Sequence, residues 1–113
     1  MSYRVEYTEE SKADLEKFDE SQARQIRLVI DRVSENPLPK NEGGYGTPLG
    51  NKHGNLTGLC RIKLLKLGIR VVYKVIRDGK LMKIIVIAAR ADDKIYEIAS
   101  KRNSKGRGQP IQK

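Results

Sequence analysis

Residues 59–76, LCRIKLLKLGIRVVYKVI, constrain the fold more than any other part of the chain. Apolar residues recur there at every second position, which is the pattern of β-strands with one buried face. A further strand follows after Asp78-Gly79, a pair typical of tight hairpin turns. The C-terminal half is therefore predicted to be a three-stranded antiparallel meander, with strands at about 58–66, 69–77 and 80–89.

The N-terminal half is predicted to contain one strand and two helices. Residues 3–8 alternate as a short strand, and Thr8 precedes acidic residues as an N-cap would. The first helix is predicted to run to about Phe18. The second carries one apolar face and stops at Asn36-Pro37, because proline disfavours helix at the preceding residue.

These elements together predict an α+β fold. A helical hairpin packs on one face of a four-stranded sheet, and a short helix ends the domain. The boundaries predicted from the sequence are a single domain at 1–102 and a basic, disordered tail at 103–113.

A long segment rich in proline and glycine, residues 37–55, separates the helices from the meander. Loops of this length in compact domains are often functional. The segment lacks the Gly-Lys-Ser/Thr of a phosphate-binding loop. It contains His53, the only histidine, interpreted as a surface residue, with substrate contact left open.

The charge of the chain points to a polyanionic partner. Its 113 residues include 23 Lys and Arg against 14 Asp and Glu, a net charge of +9. The single cysteine, Cys60, excludes an intramolecular disulfide and is expected in the core. No segment has the pattern of a signal peptide or a membrane span, so a cytoplasmic protein is the simplest expectation.

Fixed positive charges are set into the predicted sheet. Alternation places Arg61 and Lys63 on one face of their strand, and Arg70 on one face of the next. If Lys63 pairs near Arg70, three cations gather on a single face. Like charges side by side in a sheet are destabilising, so such a face favours an anionic ligand. The alternative interpretation is a solvated face that only improves solubility.

The chain resembles the RelE branch of the RelE/ParE toxins of bacterial toxin–antitoxin pairs. The resemblance spans residues 3 to about 102 and is strongest in GLCRIKLLKLGIRVVYKVI and AARADDKIY. It implies cleavage of messenger RNA in the A site of the 70S ribosome, without a metal or other cofactor, and control by a RelB-like antitoxin. The catalytic residues that the resemblance implies are Arg61, Lys63, Arg70, Arg90 and Tyr96.

The implied reaction suits those residue types. When a 2′-hydroxyl attacks its own phosphate, charge builds on the phosphorane oxygens, and fixed cations stabilise that charge. Arginine offers a planar fork that matches phosphate. Tyr96 is expected either to act as general base or to orient a base by stacking.

Two departures from the family pattern and two alternative functions stay open at this point. Ala91 stands where an acidic residue is common in the RelE family, and Arg61 where some members carry lysine. Asp92 and Asp93 are expected to cap the last helix. The alternatives are a ParE-like toxin that inhibits DNA gyrase and a nucleic-acid-binding domain without catalysis, because one fold supports several functions.

Overall fold

The computed structural model describes residues 2–50, 56, 58–91 and 94–108. It confirms the α+β class. The elements in chain order are β1 (Arg4–Tyr7), α1 (Glu9–Leu15), α2 (Glu20–Val33), a 3-10 turn (Lys40–Glu42), β2 (Thr47–Pro48), β3 (Leu59–Leu64), β4 (Ile69–Ile76), β5 (Leu81–Ala89) and α3 (Ile95–Gly108). No helix in the described ranges is both long enough and apolar enough to cross a membrane.

The sheet has five strands in the order β1-β5-β4-β3-β2. The meander β3–β4–β5 is antiparallel as predicted, and β1 joins its far edge parallel to β5. The predicted count of four strands is wrong because it omits β2. This two-residue strand contains Pro48 and pairs with β3 at the sheet edge, so it has no alternation that a sequence pattern could reveal.

Each helix of the hairpin begins with a side-chain N-cap. Thr8 accepts the backbone N–H of Ser11 at 3.0 Å, which confirms the predicted N-cap. Asp19 and Gln22 form a reciprocal capping box that starts α2. The first helix ends at Leu15, three residues before the predicted end, and the capping box at Asp19 leaves only a short turn between the helices.

Each face of the sheet covers a separate apolar cluster. On the hairpin side, Ile26 and Ile30 of α2 pack with Cys60, Val71 and Tyr73, and all five are buried. Cys60 therefore lies in the core, as predicted. On the other side, α3 packs over the sheet through a second buried cluster of Leu56, Leu59, Val72, Ile85, Val86, Ile95 and Ala99.

Helix α3 continues six residues beyond the predicted boundary at 102. Asn103 is buried, because it lies four residues after Ala99 and so shares the helix face that packs on the sheet. The backbone is thus helical as far as Gly108, and the predicted domain boundary stays a prediction. Residues 109–113 and the predicted caps Asp92 and Asp93 lie outside the described residues.

Strand β5 carries an irregularity where β1 ends. Val72 pairs with Val86 while Tyr73 pairs with Ile84, so Ile85 is the extra residue of a β-bulge. The last pair between β1 and β5 is Tyr7–Ile84, and β5 then continues to Ala89 without a neighbouring strand on that side. We call this part of the strand, residues 85–89, the open edge of β5.

Candidate functional site

Three cations lie on the sheet face that α3 partly covers. Lys63 pairs directly with Arg70 across β3 and β4, as the sequence suggested, and Arg61 pairs with Val72 in the next row. Side chains of directly opposed residues point to the same face. We call the surface formed by Arg61, Lys63, Arg70 and Tyr96 the basic face.

Tyr96, in the first turn of α3, contacts two guanidinium groups of the basic face. Arg61 donates a hydrogen bond from Nη1 to the Tyr96 Oη at 2.7 Å. The Cζ of Arg70 lies 5.9 Å from the centroid of the Tyr96 ring, within the range of a cation–π contact. One arginine therefore holds the hydroxyl of the tyrosine, and the other faces its ring.

The cations of the basic face differ from other basic residues of the chain in their partners. Arg77 pairs with Glu42 at 2.7 Å, and Arg102 pairs with Asp14 at 2.8 Å. Within the described ranges, no carboxylate pairs with Arg61, Lys63 or Arg70. The face thus concentrates positive charge that no acidic side chain offsets there.

Burial holds the two arginines of this face in place. Arg61 and Arg70 are half-buried, and the Nε atom of each is buried without a hydrogen-bond partner. A buried donor left unpaired costs free energy. The guanidinium groups that contact Tyr96 thus belong to partly buried side chains, whereas Lys63 is exposed.

Arg90 lies apart from this contact set. It follows the end of β5, where its backbone N–H donates to the carbonyl of Gly68 at 2.6 Å, and its side chain is exposed. The row of Lys63 and Arg70 ends at Ala88, whose small side chain lies on the same face. The structure thus joins Arg61, Arg70 and Tyr96, sets Lys63 beside them, and leaves Arg90 at the end of the strand.

Thr47 is a residue of this face that the sequence did not reveal. It pairs with Arg61 across β2 and β3, so its half-buried side chain points to the same face as that arginine. No sequence signal identified it, because it lies in the segment interpreted as a loop. His53, in the same segment, lies outside the described residues.

The segment that carries Thr47 is built around Tyr73. The Tyr73 hydroxyl donates to the carbonyl of Pro37 at 2.7 Å, and burial raises the pKa of Tyr73 well above its ordinary value. Gly46 lies so close to this hydroxyl that a Cβ there would collide with it. Backbone bonds from Tyr45 to Asn36 and from Gly46 to Leu38, at 3.0 and 3.1 Å, close the segment on itself.

Comparisons with known proteins agree with the fold described above. No family model matches the chain. The chain is 24% identical over 102 residues to a putative RelE-like toxin protein from Escherichia coli, a match that covers 90% of this chain and 98% of the relative.

Among solved structures, a double-arginine mutant of E. coli toxin RelE in the free state aligns with a TM-score of 0.70 and 24% identity, over 90% of this chain and 98% of that one. A RelBE toxin–antitoxin complex from Mycobacterium tuberculosis aligns with a TM-score of 0.66 and 22% identity, over 81% and 95%. The intact E. coli RelBE complex aligns with a TM-score of 0.61 and 22% identity, over 78% and 96%. The resemblance to RelE toxins predicted from the sequence is confirmed, and the chain has their fold.

Proposed function

We propose that this RelE-like chain is the toxin of a RelBE-type toxin–antitoxin system, and that it cleaves messenger RNA on the ribosome. The observation that carries the proposal is the pair of arginines, Arg61 and Arg70, which meet on Tyr96 without a carboxylate partner in the described ranges. Fixed cations around a hydroxyl suit phosphate chemistry better than they suit a solvated surface.

The proposed reaction is a transesterification that needs no metal. The 2′-hydroxyl of the substrate attacks the adjacent phosphorus, a P–O bond forms, and the bond to the 5′-oxygen of the next nucleotide breaks. The 2′-hydroxyl proton leaves to a base, and the departing oxygen takes up a proton. Arg61 and Arg70 would stabilise the phosphorane oxygens, with Lys63 and Arg90 as further cations near the strand ends.

Tyr96 would contribute through its hydroxyl or its ring. Its oxygen accepts a hydrogen bond from Arg61, so the hydroxyl is held beside a guanidinium group of the basic face. Its ring, half-buried against Arg70, offers an aromatic surface of the kind on which RNA bases stack. The general-base role and the stacking role predict different results for removal of the hydroxyl.

The proposed partners follow from the same surface. The structural relatives include RelE proteins in complex with RelB-type antitoxins, so we propose a RelB-like antitoxin for this chain. The net charge of +9 favours an acidic or amphipathic segment that folds as it binds. A ribosomal substrate places the protein in the cytoplasm.

The experiment that tests this function compares two substrates. The purified protein is incubated with translating ribosomes and with naked messenger RNA, and cut ends are mapped by primer extension. We expect cuts only on ribosomes. Inhibition of DNA gyrase without cleavage would instead favour the ParE-like alternative, and RNA binding without either activity would favour a non-catalytic domain.

Tyr96→Phe separates the two roles of the tyrosine. The substitution keeps the ring over Arg70 and removes the hydroxyl that Arg61 holds. If the hydroxyl transfers a proton, the single-turnover rate of cleavage on saturated ribosomes should fall by about a hundredfold or more, which is the loss expected when an acid–base group is removed. A loss of less than about threefold would assign Tyr96 to stacking.

Salt dependence tests phosphate recognition. Binding to ribosomes should weaken linearly on a plot of the logarithm of affinity against the logarithm of salt concentration, because each phosphate contact releases counterions. Removing one docking cation should reduce the slope by about one. An affinity that does not change over a severalfold range of salt would contradict recognition of RNA phosphates.

A further inference from the structure

A largely buried ion pair joins helix α1 to helix α3 at the open edge of β5. Asp14 of α1 and Arg102 of α3 make a two-point contact, with Nη1–Oδ2 at 2.8 Å and Nη2–Oδ1 at 3.3 Å. Their side chains are only 9% and 22% exposed. A two-point contact between a guanidinium and a carboxylate fixes orientation as well as distance.

The same two side chains also bind the backbone of β5. Asp14 Oδ2 accepts the N–H of Ile87 at 3.0 Å, and Arg102 Nη1 donates to the carbonyl of Ile85 at 2.8 Å. Both backbone groups lie beyond the last pair with β1, where no strand in the described part of the chain pairs with β5 on that side. At the bulge around Ile85, α1 therefore binds one backbone group of β5 and α3 binds another. The ion pair between Asp14 and Arg102 links these two contacts.

This network fixes one part of α3 while the basic face holds another. Tyr96 and Arg102 are six residues apart, about 9 Å along the helix axis. Ile95, Ile98 and Ala99 of α3 pack in or against the second apolar cluster. Apolar packing is not directional, so the polar contacts at Tyr96 and at Arg102 are the ones that can fix the orientation of α3 on the sheet.

We infer that Asp14 and Arg102 are positioning residues of the candidate site: they hold α3 on the bulge of β5, so that Tyr96 meets Arg61 and Arg70. The inference rests on the proposed function for its catalytic consequence. Neither residue touches the basic face, and both act through the placement of Tyr96. Small displacements of a reacting group have large effects on rate, because proximity and orientation carry much of catalysis.

The first test is a double-mutant cycle on ribosome-dependent cleavage. Arg102→Met keeps the apolar stem and removes the guanidinium. We expect it to lower the single-turnover rate on saturated ribosomes by roughly tenfold or more, with ribosome affinity unchanged. In a Tyr96→Ala background, which removes both the hydroxyl and the ring, the same substitution should change the rate by less than about threefold, because residues that act through one another are not additive.

Two further variants serve as comparisons for Arg102→Met. Lys101→Met removes an exposed cation from the neighbouring position of α3 and should leave the saturated rate unchanged. Arg102→Lys keeps a positive charge beside Asp14 but loses the two-point contact, so it should fall between the parent and Arg102→Met. A rate loss for Arg102→Met that persists in full in the Tyr96→Ala background would overturn the inference.

The second test does not depend on cleavage. Hydrogen exchange in the Arg102→Met variant should accelerate at the backbone amides of α3, while the amides of β3 and β4 keep their protection. Unchanged exchange in α3, or loss of protection throughout the sheet, would contradict a positioning role. If the parent chain cuts no RNA, the proposed function fails, and this measurement still decides whether the ion pair holds α3.

Discussion

Arg70→Ala is expected to lower the rate of cleavage on saturated ribosomes by roughly a hundredfold or more. A loss of this size is expected when one oriented hydrogen-bond donor to a developing oxyanion is removed. Arg70 is half-buried on β4, faces the Tyr96 ring and has no carboxylate partner in the described part of the chain. Its charge should therefore matter most where phosphate charge rises, in the transition state.

Exposed cations of α1 and the turn after it supply the matched comparison for Arg70. Lys12→Ala and Lys17→Ala remove charge from the surface without touching the basic face. We expect them to weaken docking and to leave turnover normal once the ribosome is bound. Arg70→Ala should show the opposite pattern in single-turnover measurements. Weaker binding with intact single-turnover cleavage for Arg70→Ala would show that the site has been assigned wrongly.

Gly44→Ala is expected to destabilise the fold, because the segment after α2 leaves no room for a side chain. A Cβ at this position would lie 2.6 Å from the carbonyl carbon and 2.8 Å from the nitrogen of Leu38, and closer still to its oxygen. These are backbone atoms, so they cannot move aside as a flexible side chain would. Overpacking of this kind costs about 1–3 kcal/mol and sometimes more. Denaturant unfolding measures the loss as a shift of the midpoint.

Gly50→Ala is the control for that measurement. A Cβ at Gly50 meets no atom of the described residues within 4 Å, and Gly50 is exposed, so the free energy of unfolding should stay within about 0.5 kcal/mol of the parent. Equal effects of the two substitutions would contradict the close approach of Gly44 to Leu38. The Gly44 variant should also lower activity, because the same segment places Thr47 beside Arg61.

Local patterns predicted the parts of the fold that depend on local chemistry. The alternation around Arg61 and Lys63 placed both cations opposite the helical hairpin, and the short turn after Leu64 brought Lys63 beside Arg70. The N-cap at Thr8 needed only its own first turn. These features are set by residues within a few positions of one another, so their signals lie in the sequence itself.

Features that depend on distant contacts were not predictable in the same way. The bulge at Ile85 and the extra strand at Thr47 leave no periodic signal. The bond from Arg61 to Tyr96 depends on where α3 packs, and that position is set by partners such as Asp14, 88 residues before Arg102. The family resemblance named Tyr96 as a site residue but could not show which arginine holds its hydroxyl.

The parallel pairing of β1 with β5 has a consequence for how the chain folds. The meander forms from neighbouring hairpins, whereas β1 must close a loop between residues 4–7 and residues 81–84. Closing so long a loop costs entropy before any pairing repays it, so docking of β1 is expected to be the slow step. Until β1 docks, β5 presents its whole outer edge as a template for other strands, so a chain with β1 undocked should aggregate more readily than the native protein.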